Sequence, residues 1–184
     1  MMKKVIFLDI DGVMNDEEEI LATIHKDPNN YKEDDPSPKH LVCLKKIVDA
    51  TGADIVLSSA WRLGLGPTQR VMDALATVNL HLVGLTPEAA PLSVIEKLGV
   101  KYNDKRCLDK TSWRAQEYGE PVISERGAEI AFWLFKHPQY KSFVILDDED
   151  FDIRSYYPNN YIKTNPRKGL TDTEVEKAIQ ILNK

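Results

Sequence analysis

Two short acidic runs hold the side chains best placed to do chemistry in this chain. They are Asp9-Ile10-Asp11, followed by Gly12, and Asp147-Asp148, which opens a cluster reaching Asp152. Each follows an apolar run, Val5 to Leu8 and Phe143 to Leu146, of the kind that forms a strand buried on both faces of a parallel sheet. Ligands of open parallel sheets gather at the carboxyl ends of the strands, so both pairs are expected on one rim. Side chains alternate along an extended strand, which would send Asp9 and Asp11 to the same side. Carboxylates brought together in this way repel unless a cation neutralises them. An all-oxygen donor set with no nearby His or Cys favours Mg2+ over zinc. The competing reading, acids solvated at strand ends, is the usual fate of a single DxD. A calcium-binding EF-hand fails on spacing: counted from Asp9 the glycine is fourth rather than sixth, and the twelfth residue, Ile20, cannot supply a bidentate carboxylate.

The elements that must position these acids follow a strand–helix alternation. After the first strand, a polar tract from Asn15 to Lys39 carries Pro28, Pro36, Pro38 and the pair Asn29-Asn30, and reads as a flap over little core. From Pro38, Leu41, Leu44, Ile47 and Val48 recur at helical spacing up to Gly52, a C-terminal stop. Ala53 to Leu57 is a second buried-strand candidate, followed by SSAWR and a helix led by Pro67. Leu80 to Leu85 gives a third strand, and residues 87–124 read as an insertion. A helix opening near Arg126 leads into the acidic-ended strand; Tyr161 to Lys163 and a last helix, with Thr171 and Glu174 at capping-box spacing, complete the series. This is α/β grammar in one domain over residues 1–184.

Composition narrows the field. Apolar residues at 42% and charged residues at 29% exclude a mainly disordered chain. A net charge of -5 argues against stable, sequence-independent binding of duplex nucleic acid. Cys43 and Cys107 support neither a disulfide framework nor a thiolate zinc site. The apolar run after Lys3 and Lys4 ends at Asp9, too short for a secretory leader, and no stretch has the length of a membrane span. A soluble cytoplasmic protein is expected. The histidines, His25, His40, His81 and His137, form no ligand spacing and read as surface or structural.

DIDGV at the first strand, SSAWR after the second and ILDDEDFD late in the chain resemble, in order and separation, the haloacid dehalogenase-like (HAD) superfamily of phosphatases. Within it, SSAWR, RGAEI with its WL-type helix and the late GLT turn look like the HAD domains of nucleic-acid repair and phage-type end-processing proteins. The resemblance spans the whole fold and implies a Rossmann-like three-layer sandwich with a mainly parallel sheet. It further implies a Mg2+-dependent phosphomonoester hydrolase working through an aspartyl-phosphate on nucleotides or phosphorylated nucleic-acid ends. Asp9 would be the nucleophile and Asp11 the general acid and base. Asp9, the Asp11 carbonyl, Asp147 and Asp148 would hold the metal, with Asp147 direct and Asp148 through water, or the reverse, because Asp148 with Asp152 fits the family's DxxxD spacing better. Ser58 would donate to a phosphate oxygen, with the Ser59 N–H helping, and Arg62 can bind phosphate bidentately.

One departure matters. The family places a lysine before the last acidic strand, and no lysine stands at an obvious equivalent here. Arg126 is the candidate substitute for catalysis and phosphate binding. The missing lysine also keeps open a catalytically silent, phosphate- or nucleotide-binding module. A basic stretch, Lys101 to Arg114, with Tyr102 and Trp113 interleaved, is either a solvated insertion or a nucleotide-holding surface.

Overall fold

The computed structural model describes residues 3–26, 35–100, 108–150 and 152–184. In chain order the elements are β1 (Lys3–Leu8), α1 (Glu17–Lys26), α2 (Pro38–Thr51), β2 (Asp54–Leu57), a 3-10 turn (Ala60–Leu63), α3 (Leu65–Ala76) and β3 (Leu82–Leu85). There follow β4 (Ala90–Pro91), α4 (Leu92–Lys97), β5 (Leu108–Asp109), α5 (Trp113–Tyr118) and β6 (Val122–Ile123). The last are α6 (Arg126–Lys136), β7 (Tyr140–Asp147), α7 (Ile153–Tyr156), β8 (Tyr161–Lys163) and α8 (Asp172–Leu182).

The main sheet has the order β3-β2-β1-β7-β8, and every pairing in it is parallel. β1 lies at its centre because its apolar run is buried on both faces: Val5, Ile6, Phe7 and Leu8 are wholly inaccessible. The alternation of side chains divides that run between two cores. Ile6 and Leu8 join Leu41, Leu44, Val71, Leu75, Val175 and Ala178 from α2, α3 and α8. Val5 and Phe7 pack with Ile130 and Trp133 of α6 and with Ile153 of α7. Helices therefore cover both faces of the sheet, giving the expected three-layer α/β sandwich.

Register puts the two acidic runs side by side. Leu8 pairs with Leu146 of β7 and with Leu57 of β2, so the residues after each strand emerge together: Asp9, Asp147 and Ser58. The Asp9 N–H donates to the Leu146 carbonyl at 3.0 Å and the Ser58 N–H to the Leu8 carbonyl at 2.8 Å, carrying the pairing to the last residues. The chain turns sharply after Asp9, and the Val13 and Met14 amides fold back onto the Ile10 carbonyl.

One expectation needs adjustment. The polar tract 15–39 is not a bare loop, because α1 occupies Glu17–Lys26 within it. Asp16 accepts from the Glu19 N–H at 2.9 Å, and the glutamates at 17, 18 and 19 complement the positive end of the helix. Polar composition hid a helix whose stability is local; the tract's prolines and asparagine pair lie later, and residues 27–34 fall outside the described set. The insertion carries structure of its own, a three-stranded antiparallel sheet in the order β4-β6-β5. Of the basic stretch, residues 101–107 lie outside the described residues. The expected capping box at α8 is present, with the Thr171 N–H donating to the Glu174 carboxylate at 3.3 Å.

Candidate active site

Asp9, Asp147 and Asp148 each offer a carboxylate oxygen, and these atoms lie within 4.8 Å of one another. Asp9 and Asp147 are buried and Asp148 is half-buried. Burial disfavours the charged form, so each of the three carboxyls is held above its ordinary range. For Asp9 desolvation raises the value to about 6, against the opposing pull of Arg126 and of hydrogen bonds from the Ser59 side chain and the Ile10 backbone. Asp147 reaches about 8, through desolvation first and the charge of Asp9 second, with Arg126 again opposing. Asp148 is raised by desolvation and by Glu149. Three clustered, desolvated carboxylates, offset by the single charge of Arg126, are a donor set for a hard divalent ion. The all-oxygen ligands fit Mg2+.

Local geometry explains why Asp148 is held there. Gly12 has φ +67°, a conformation that side chains rarely adopt, and a Cβ at this position would sit 2.6 Å from the Asp148 carboxyl carbon. The glycine of the DIDG run thus makes the sharp turn and the space for the second acid of the late pair. Its carbonyl accepts from the buried Thr164 hydroxyl at 2.8 Å, which ties the turn to the end of β8.

Asp11 reaches the site by a different route from the one expected. The strand ends at Leu8, so Asp9 and Asp11 do not share a strand face; the turn after Asp9 sets Asp11 at the exposed rim. The Trp61 indole N–H donates to Asp11 Oδ2 at 3.0 Å and the Asn15 amide to Oδ1 at 3.1 Å. Asn15 itself accepts from the Gly12 N–H at 3.0 Å, fixing its own orientation. Trp61 is mostly buried in the core, with the Arg70 guanidinium 4.8 Å from its ring centre, so it packs and also directs the Asp11 carboxylate.

The SSAWR segment delivers polar groups to the same rim. Ser58 and Ser59 are buried. The Ser58 hydroxyl lies 3.5 Å from Arg126 Nη1 and 3.4 Å from the Thr86 hydroxyl. Ser59 accepts from the Trp61 N–H at 3.3 Å, the N-capping role of a serine, while its hydroxyl bonds Asp9. Arg126 opens α6 and lowers both Asp9 and Asp147, so its positive charge is felt at the centre of the cluster.

Arg62 is occupied elsewhere. Its Nε donates to the Thr86 carbonyl at 3.1 Å, Nη1 to the Ser59 carbonyl at 2.7 Å, and Nη2 to Pro87 at 3.3 Å and to the Glu129 carboxylate at 2.8 Å. Asp152 is engaged at the start of α6: both its oxygens accept the Gly127 N–H at 3.1 Å. A Cβ on Gly127 would collide with that carboxylate and with Tyr156, so the glycine allows this approach.

Glycine, serine and paired aspartates in this order, on one rim of a parallel sheet, match one family along most of the chain. The model for the HAD domain in Swiss Army Knife RNA repair proteins fits residues 5–175. The chain belongs to this family. No curated protein and no solved structure matches it. The HAD domain accounts for the sheet order and the buried acidic cluster together. Among the described residues, no helix is long and apolar enough to cross a membrane.

Sequence reasoning did not find Asn15, Glu129 or Thr164. Asn15 lies at the edge of a polar tract, and Glu129 is an acid within a helix whose burial depends on how α6 packs. Thr164 follows a short edge strand whose partner was not known. His40 is structural, as expected: its ring bonds Asp16 at 2.9 Å and the Leu170 carbonyl at 2.9 Å.

Proposed function

We propose that this HAD domain is a Mg2+-dependent phosphomonoesterase acting on phosphorylated nucleic-acid ends or nucleotides. The observation that carries the reading is the buried Asp9 carboxylate, gathered with Asp147 and Asp148 and faced by Arg126. Asp9 attacks phosphorus and the ester oxygen leaves, giving an aspartyl-phosphate in place of one difficult hydrolysis. Asp11 gives its proton to the departing alkoxide, then takes a proton from the water that attacks the aspartyl-phosphate. The Ser58 hydroxyl, the Ser59 N–H and the Arg126 guanidinium bind the non-bridging oxygens as charge builds on them. Asp9, Asp147, Asp148 and the Asp11 carbonyl would hold the ion, which supplies charge neutralisation for carboxylate and phosphate alike.

Arg126 supports activity over the silent-module alternative, because its positive charge acts on both Asp9 and Asp147, as a charge-stabilising group in place of the missing lysine would. The nucleic-acid substrate class is supported by the family, whose description names RNA repair proteins. A panel of aryl phosphate, mononucleotides, sugar phosphates and DNA or RNA ends bearing 3′ or 5′ phosphate tests the reading. Mg2+-dependent phosphate release is expected, faster from nucleotides or ends than from sugar phosphates; no release from any member would refute it.

Trp61→Phe removes the indole N–H from Asp11 and keeps the ring. Turnover of an alkyl phosphate, whose poor leaving group needs the proton, is expected to fall more than that of an aryl phosphate. Equal losses on both would show that Trp61 acts only through packing.

A further inference from the structure

We propose that Glu129 and Arg62 are positioning residues, a buried ion pair that sets Arg126 and the Ser58-Ser59 turn against Asp9. This rests on the phosphomonoesterase reading above and assigns Arg62 a supporting place instead of a phosphate contact. Glu129 lies on the same face of α6 as Arg126, three residues on, with Oε2 3.9 Å from Arg126 Nε and 2.8 Å from Arg62 Nη2. The side chains of Arg62 and Glu129 are only 5% and 9% exposed, which makes the pair a feature of the interior.

A buried carboxylate is costly, and apolar residues of similar volume commonly replace a buried ion pair with no loss of stability. Arg62 does not need Glu129 for its hydrogen bonds, since the carbonyls of Ser59, Thr86 and Pro87 already engage all three of its nitrogens. What those carbonyls cannot do is cancel charge. Arg62 and Arg126 repel each other; Asp9 and Asp147 also pull on Arg126, but Glu129 touches both guanidinium groups directly, 2.8 Å from the first and 3.9 Å from the second. With it, Arg126 can remain near the Ser58 hydroxyl. Without it, mutual repulsion drives Arg126 from the place where the phosphoryl oxygens would sit. Through the Ser59 carbonyl the same pair fixes the turn that presents Ser58, and through Thr86 and Pro87 it joins that turn to the end of β3.

The test is aryl phosphate turnover with Mg2+, together with calorimetric affinity for inorganic phosphate. The proteins are wild type, Glu129→Gln, Arg126→Ala and the double variant. Glu129→Gln is expected to lower kcat by about a hundredfold, the scale of a small misplacement of a reacting group, with the melting temperature nearly kept. In the Arg126→Ala background the same change should add almost nothing. Equal losses in both backgrounds, or wild-type kcat in Glu129→Gln, would overturn the proposal. Arg62→Met with Glu129→Leu removes the pair and the repulsion on Arg126 together, but also the hydrogen bonds that fix the Ser58-Ser59 turn; it should fold and stay slow through the loosened turn, whereas wild-type turnover from it would also overturn the proposal. A wild-type protein that turns over nothing defeats the functional reading alone. The phosphate affinities still decide the positioning role, which requires Glu129→Gln to weaken binding only when Arg126 is present.

Discussion

Asp9→Asn is expected to lower phosphate release from an aryl phosphate by on the order of 10^4-fold or more, the scale on which loss of a covalent nucleophile acts. The physical basis is the placement of Asp9 at the end of the central strand, where its carboxylate is buried beside Asp147, Asp148 and the Arg126 charge. An amide there has the same shape but cannot attack phosphorus to form an acyl phosphate. Because the change also removes one charge from a repelling cluster, the variant should fold at least as well as the parent. The measurement is phosphate release at saturating Mg2+, paired with a melting curve. Activity that survives in a well-folded variant would show that Asp9 is not the nucleophile.

The second large effect is on stability. Folding raises Asp9 from 3.8 to about 6, Asp147 to about 8 and Asp152 to about 7, in each case first by desolvation. A group whose folded pKa lies above its unfolded value holds more protons in the folded state between the two. Stability therefore falls as pH rises through that window. The metal-free protein should lose stability steadily from about pH 4 to about pH 8 and level off above, since every one of these carboxyls is then ionised.

Asp16 works in the opposite sense. Burial opposes its ionisation, but hydrogen bonds from Lys39, the Glu19 amide and His40 outweigh it and hold the carboxyl below its ordinary range. Its contribution is present above the unfolded value near 4 and is lost as pH falls below that. The two effects together place maximal stability of the metal-free chain in mildly acid solution. Mg2+, by binding ionised carboxylates of the folded state only, should restore stability at pH 8 far more than at pH 5. Melting temperatures from pH 4 to 9, with and without Mg2+, measure this directly. A metal-free profile that rises toward pH 8 would contradict the burial of an ionisable cluster.

The strands and their order of chemistry were legible in the residues because their signals are local. Val5 to Leu8, Ala53 to Leu57 and Phe143 to Leu146 are continuous apolar runs, and a run buried on both faces has no polar side to disguise it. The acids and serines that follow these runs had to appear on one rim once the strands were parallel and in register. That much led to Asp9, Asp147 and Asp148, while Ser58 followed from the family resemblance. Capping at Thr171 was readable for the same reason, since four consecutive residues contain the whole interaction.

What remained hidden depends on partners distant in the chain. In the sequence Arg62 reads as a phosphate contact and Glu129 carries no sign of a role; only the packing of α6 against the SSAWR turn makes them a buried pair across 67 positions. Trp61 and Asp11 are 50 residues apart, so neither predicts the other's hydrogen bond. Sequence alone determined which side chains could perform the chemistry and where each strand delivers them, because periodicity and turn residues act over a few positions. Only the tertiary structure decided which charges are desolvated, which are compensated and which way each carboxylate faces, because burial and Coulomb energy depend on distance through space.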